Sequence, residues 1–173
     1  EELPFPESHF DLVVCQFALM FFADRPRALS ECHRVLRRGG RLVLNVWQGL
    51  DRHPFYETLH DAIQRRLGTL ALDSIFALDD PIVLGTLLTD AGFQRVQIDP
   101  VSMTSRFPHP DVFLAAEIEL DTAAIPSMQN LTPAQRQAMV AAISEDMKGP
   151  LHDRIQDDHV VLQFHANVVR AWR

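Results

Sequence analysis

The sequence predicts an α/β fold built on a parallel sheet, and three observations predict it. FDLVVCQ at 10–16 is an apolar run of strand length, a stripe of apolar residues at helical spacing follows within 25–38, and RLVLNVW at 41–47 is a second strand-like run. A strand, a helix of about four turns and another strand make a βαβ unit, whose right-handed closure sets the two strands parallel.

Taken in order, Phe10, Leu12, Val13 and Val14 read as a strand covered on both faces. The apolar character then runs on through Phe17, Leu19, Met20, Phe21 and Phe22, where a chain leaving a sheet normally turns polar. Asp24 is placed to cap a helix with Ala28, Leu29, Cys32, Val35 and Leu36 on one stripe, and Gly39-Gly40 is expected to end it. A helix with Phe55, Leu59, Ala62, Ile63 and Leu67 on one face follows the second strand, then a turn rich in Leu, Ala and Asp. Asp80-Pro81 has the cap-then-proline signature of a helix start, with Gly92 its stop. FQRVQIDPV at 93–101 reads as a third strand and HPDVFLAAEIELDTAA at 109–124 as a helix. Thr132-Pro133, with Gln135 placed for a capping box, opens a further helix that Gly149-Pro150 is expected to close. HVVLQFHANVVRAWR at 159–173 alternates as one long strand or as two halves with a bend, giving about four strands with helices between them.

Composition narrows the function. With 173 residues, 47% of them apolar, the chain can bury a sizeable core as one domain. A net charge of −7 and no basic cluster beyond Arg37-Arg38 or Arg65-Arg66 argue against a nucleic-acid surface and for a small-molecule partner. No apolar run is long enough to cross a bilayer. Two cysteines, Cys15 and Cys32, form neither a CxxC pair nor a disulfide framework, which suits a reducing cytoplasm. An opening Glu1-Glu2 with no initiator Met reads as the start of a fragment.

Ligands of open parallel sheets sit at the carboxyl ends of the strands. Those ends here are CQFALMFF and NVWQG, rich in aromatics and Met and suited to wall an apolar pocket. Plainer readings stand beside this one: Met20, Phe21 and Phe22 as core filling, Cys15 as a small buried hydrophobe, Trp47 as an interior packer and His53 as a solvated loop side chain. Neither His33 nor the trio His152, His159 and His165 has the companions of a zinc site, so no metal is expected.

LPFPESHFDLVVCQFALMFFADRPRALSECHRVLRRGGRLVLNVW, with LLTDAGFQRVQI further on, resembles the class I S-adenosylmethionine-dependent methyltransferases, in particular the small-molecule group that includes ubiquinone and menaquinone biosynthesis enzymes. The resemblance covers roughly residues 1–105 and the last strand. It implies a Rossmann-like sheet in the order three, two, one, four, five, seven, six with the last strand antiparallel, of which this chain would hold four to seven. Residues 51–78 and 106–159 would be substrate-lid helices within one domain spanning 1–173. For the cofactor S-adenosylmethionine it implies Leu3, Pro4 and Phe5 beside the adenine rim, Cys15, Gln16 and Phe17 near the methionine part, and Leu19 and Met20 round the cleft. Phe21, Trp47, Phe55 and Tyr56 would face the substrate, and no residue takes a catalytic label.

The family also grips its cofactor through a glycine-rich loop, an acidic residue on the ribose and an Asp-Ala pair preceding LPF. None is present: the glycines fall at 39, 40, 49, 68, 85, 92 and 149. The expectation is therefore the C-terminal part of a methyltransferase domain, inactive alone, with strand four an exposed edge that a second copy or the missing half would pair. Two other classes compete: part of a nucleotide-dependent oxidoreductase, and a non-catalytic module that dimerises through that edge.

Overall fold

The computed structural model describes residues 1–69, 72–123 and 125–173. Leu70 and Ala71 of the expected turn, and Ala124 at the end of the expected helix, lie outside the described residues. The chain divides into two compact units, one of 1–49, 74–102 and 165–173, the other of 50–73 and 103–164. The second takes in all of 106–159 and most of 51–78.

In the first unit, β1 (Phe10–Gln16) pairs in parallel with β2 (Leu36–Trp47), with Leu12 opposite Arg41 and Gln16 opposite Asn45. Between them lies α1 (Arg25–Val35), capped as expected by the Asp24 carboxylate, which accepts from the Arg27 N–H at 2.9 Å. The helix stops earlier than Gly39-Gly40. Leu36 is already extended, fully buried and paired with Phe10, so burial of that side chain sets the boundary. The two glycines serve a bulge instead, in which Asp11 alone stands opposite Arg37–Gly40. Gly39 takes a φ of +79°, and a Cβ at Gly40 would lie 2.9 Å from the Arg37 carbonyl and 3.2 Å from that of Asp11.

α3 (Pro81–Asp90) starts at the Asp80 cap and ends before Gly92 (φ +96°), as expected. The strands β3 (Gln94–Pro108) and β5 (His159–Trp172) complete the sheet in the order β1-β2-β5-β3, and β5 runs antiparallel to β2. A two-residue strand, β4 (Ile155–Gln156), pairs with β5, so the described residues hold five strands where four were expected. α1 and α3 pack together over the face carrying Leu42, Leu44, Val46, Val169 and Ala171, and Leu29, Leu84 and Leu88 join that core. Each such leucine contributes roughly 2 kcal/mol by leaving water. β1 is not covered on both faces as its sequence suggested: Leu12 and Val14 are 45% and 62% exposed. It is the edge of the sheet, paired only with β2 among the described residues.

The second unit holds four of the described helices together with β4 and parts of β3 and β5. α2 (Pro54–Leu67) ends at Gly68 in the left-handed conformation, and α4 (Pro110–Thr122) and the short α5 (Pro126–Gln129) precede α6 (Pro133–His152). The Thr132–Gln135 capping box forms as expected. Gly149-Pro150 does not close α6. Proline in a last turn removes a single N–H, and the buried Leu151 keeps the turn helical to His152. α6 packs against both α2 and α4, and Arg66 grips Asp146 with two bonds of 2.8 Å.

Gly40→Ala is expected to lower stability by about 1–3 kcal/mol, because the new methyl meets backbone. Asp24→Ala should cost about 1 kcal/mol through the lost cap. Urea unfolding of each variant checks both.

Candidate functional site

The chain leaves β1 through an unusual turn. Phe17 has a φ of +45°, a conformation that costs a side-chain-bearing residue about 1 kcal/mol or more. Asn45 of β2 holds it there: the Phe17 N–H donates both to the Asn45 Oδ1 at 2.9 Å and to the Asn45 carbonyl at 3.2 Å. So turned, the Phe17 ring stacks on Trp47 with centroids 3.8 Å apart and planes 17° from parallel. Such a pair adds about 0.5–1.5 kcal/mol beyond its buried area.

The following single helical turn, Leu19–Phe21, explains the apolar loop. Leu19 and Met20 are 1% and 2% exposed within the core, whereas Phe21 stands 65% exposed. The Arg25 guanidinium donates to the Met20 carbonyl at 3.0 Å. Beside the turn, Val14, Gln16, Val43, Asn45 and Val168 line a pocket of about 190 Å³ at the carboxyl ends of β1 and β2. Burial pushes the Cys15 thiol above its ordinary value and that of Cys32 up to about 11, so neither is a thiolate at neutral pH.

The first unit thus brings Cys15, Gln16, Phe17, Phe21 and Trp47 to one end of the sheet. Leu3, Pro4 and Phe5 lie elsewhere, along α1. The Leu3 N–H donates to Glu31 at 2.9 Å, Arg34 donates to the carbonyls of Leu3 and Phe5, and the Phe5 ring meets Phe10 edge-on at 5.0 Å, at the other end of β1 from Phe17. The Arg34 guanidinium, with the Leu3 N–H, holds the Glu31 carboxyl down to about 2.

Phe55 and Tyr56 belong to the second unit. Phe55 is buried against Tyr56 (5.5 Å, edge-on) and Phe113 (6.1 Å), and Tyr56 also lies 5.7 Å from Phe164. His53, expected to be solvated, is 1% exposed at the N-terminus of α2, 6.3 Å from the Phe164 ring. The Tyr56 hydroxyl donates to Glu117 at 3.0 Å. Asp121 follows one turn later, and its Oδ2 is buried with no hydrogen-bond partner among the described residues. Burial raises all three groups: Tyr56 further through the Glu117 charge, and Asp121 to about 7 with Glu117 adding to the effect. Sequence reasoning passed over Asn45, Glu117 and Asp121. The signals were a lone amide in the apolar run RLVLNVW and two carboxylates four apart in a helix. Among the described residues, no group of three or more His, Cys, Asp or Glu is arranged to hold a metal.

The sign of the pH dependence follows. Asp121 folds with its carboxyl raised from 3.8 to about 7, so the folded state holds a proton that the unfolded chain releases. The stabilisation is complete below about pH 4 and is lost as pH rises through about 7. Asp121→Asn should remove that decline and unfold about 1–2 kcal/mol later than the parent at about pH 8, as urea titrations across pH would read.

Residues 1–44 match the family described as "Methyltransferase domain". The ubiquinone/menaquinone biosynthesis C-methyltransferase of Laribacter hongkongensis is 33% identical over 116 residues, covering 59% of this chain and 47% of that protein. The Psychromonas ingrahamii protein of the same description is 44% identical over 59 residues, 34% of this chain and 22% of its own. A rat mitochondrial protein described as an arginine-hydroxylase is 34% identical over 110 residues, 62% of this chain and 31% of its own. The chain spans less than half the length of each of these relatives. Among solved structures, the YcgJ protein of Bacillus subtilis shares the fold with a TM-score of 0.54 at 16% identity, over 99% of this chain and 67% of that one. A protein solved as a candidate methyltransferase from an antibiotic biosynthesis pathway of Anabaena variabilis aligns with a TM-score of 0.54 at 18% identity, over 95% and 69%. In sequence over its first part and in fold along nearly its whole length, the chain resembles the class I S-adenosylmethionine-dependent methyltransferases, the ubiquinone/menaquinone group among them.

Proposed function

We propose that the chain is the C-terminal part of an S-adenosylmethionine-dependent methyltransferase that acts on a small molecule. One observation carries the reading: β5 runs antiparallel and lies between β2 and β3, the four-five-seven-six order of that fold. A nucleotide-dependent oxidoreductase of the doubly wound type continues its sheet with parallel strands in sequential order, so the same observation speaks against that alternative.

When bound, S-adenosylmethionine supplies a methyl group already activated on a sulfonium. The protein's own share is then to orient the acceptor in line and to keep water out, and a general base is optional. The residues present fit one side of such a ligand. Gln16 and Phe17 offer backbone groups at the strand end, and the aromatic faces of Phe17 and Trp47 form a flat surface that favours positive charge. Residues that hold ribose and adenine are supplied, in this reading, by polypeptide outside 1–173. The second unit, with Phe55 and Tyr56, is the substrate-covering part, and its aromatic content suits a neutral or apolar acceptor. Two free cysteines support a cytoplasmic setting, and no helix among the described residues is long and apolar enough to cross a membrane.

Calorimetry with S-adenosylhomocysteine tests the reading. The full-length protein should bind it and residues 1–173 alone should bind it far more weakly; failure of the full-length protein to bind ends the enzyme reading. Because one relative is named for hydroxylation, the assay must also follow conversion of S-adenosylmethionine to S-adenosylhomocysteine. The same reading requires the open edge of β1 to be paired in the full-length protein, by its own further strands or by a second copy. A monomer whose β1 amides exchange freely with solvent deuterium would contradict it.

A further inference from the structure

We propose that Asn45 is the positioning residue of the cofactor cleft, holding Phe17 in its left-handed turn so that the strand end and the aromatic surface face the ligand. The inference rests on the methyltransferase reading for what the cleft binds, and on geometry alone for what Asn45 does. Three observations converge on this amide. Its Oδ1 accepts from the Phe17 N–H at 2.9 Å, beside the 3.2 Å ladder bond from the same N–H to the Asn45 backbone carbonyl. Phe17 is held at a φ of +45°, which a phenylalanine does not adopt without support. The ring so directed lies flat on Trp47, two residues beyond Asn45 on the same face of β2.

Register makes the device local. Gln16 stands directly opposite Asn45 in the parallel pair, so the first residue past β1 falls within reach of the Asn45 side chain. A shorter hydroxyl would not span the gap, and an apolar residue of equal volume would leave the Phe17 N–H with its longer, backbone acceptor only. The side chain also lines the 190 Å³ pocket, with Val14, Val43 and Val168 beside it.

The test uses the full-length protein with S-adenosylhomocysteine as the probe. Asn45→Leu should weaken binding about three- to tenfold, and Asn45→Asp, which keeps the acceptor, should restore the ring-current shift of the Trp47 indole resonances that Asn45→Leu abolishes. In a Phe17→Gly background, where glycine takes the left-handed turn unaided, Asn45→Leu should change affinity by less than about twofold. Equal losses with and without Phe17→Gly would overturn the proposal, as would an unmoved Trp47 resonance in Asn45→Leu. If the unsubstituted protein fails to bind the probe, the methyltransferase reading falls, and the Trp47 resonances still decide whether Asn45 sets the turn.

Discussion

The parallel register of β1 on β2 is the constraint on which the rest of the first unit depends. It sets Gln16 opposite Asn45, and from that single alignment follow the held turn at Phe17, the ring stacked on Trp47 and the descent of Leu19 and Met20 into the core. Side chains alternate along a strand, so a slip of one residue would send the Asn45 amide to the helix-covered face and bring Leu44 or Val46 to the turn. At the other end of β2 the Gly39 N–H donates to the Arg173 carbonyl and the Arg173 N–H to that of Gly40, each at 2.9 Å, which ties the start of β2 to the end of β5.

Much of this was legible in the sequence where local chemistry and tertiary burial agree. Asp24, Asp80 and the Thr132–Gln135 box announce helix starts, because a capping side chain acts on neighbours three residues away at most. The parallel pair and the antiparallel last strand were also readable, the first from the βαβ spacing and the second from the family resemblance. The sequence misled where distant contacts override local signals. Gly39-Gly40 looks like a helix stop, yet Leu36 is drawn into the core four residues sooner. Gly149-Pro150 looks like another, yet Leu151 is buried beyond it. His53 reads as a loop residue, and only the packing of α2 reveals it as interior. At the site, the aromatics stood out in the sequence and the amide that orders them did not, since one Asn in a strand carries no periodic signature.

The two units differ in what their interiors hold. Beside the sheet the core is aliphatic, and its thiols stay protonated. Among the helices, a tyrosine hydroxyl and two carboxyls are withdrawn from water with no cation paired to either carboxyl among the described residues, and burial raises all three above their ordinary values.

The place of β5 has a consequence for how the molecule is made. Of the strands described, it is the last to leave the ribosome, yet it lies between two that emerge well before it. Until it arrives, β2 and β3 have no neighbour in common, and the sheet cannot close by zipping from one end. Assembly must wait for a segment more than a hundred residues downstream of β2, a long-range closure of the kind that slows folding and leaves apolar ladders uncovered in the interval.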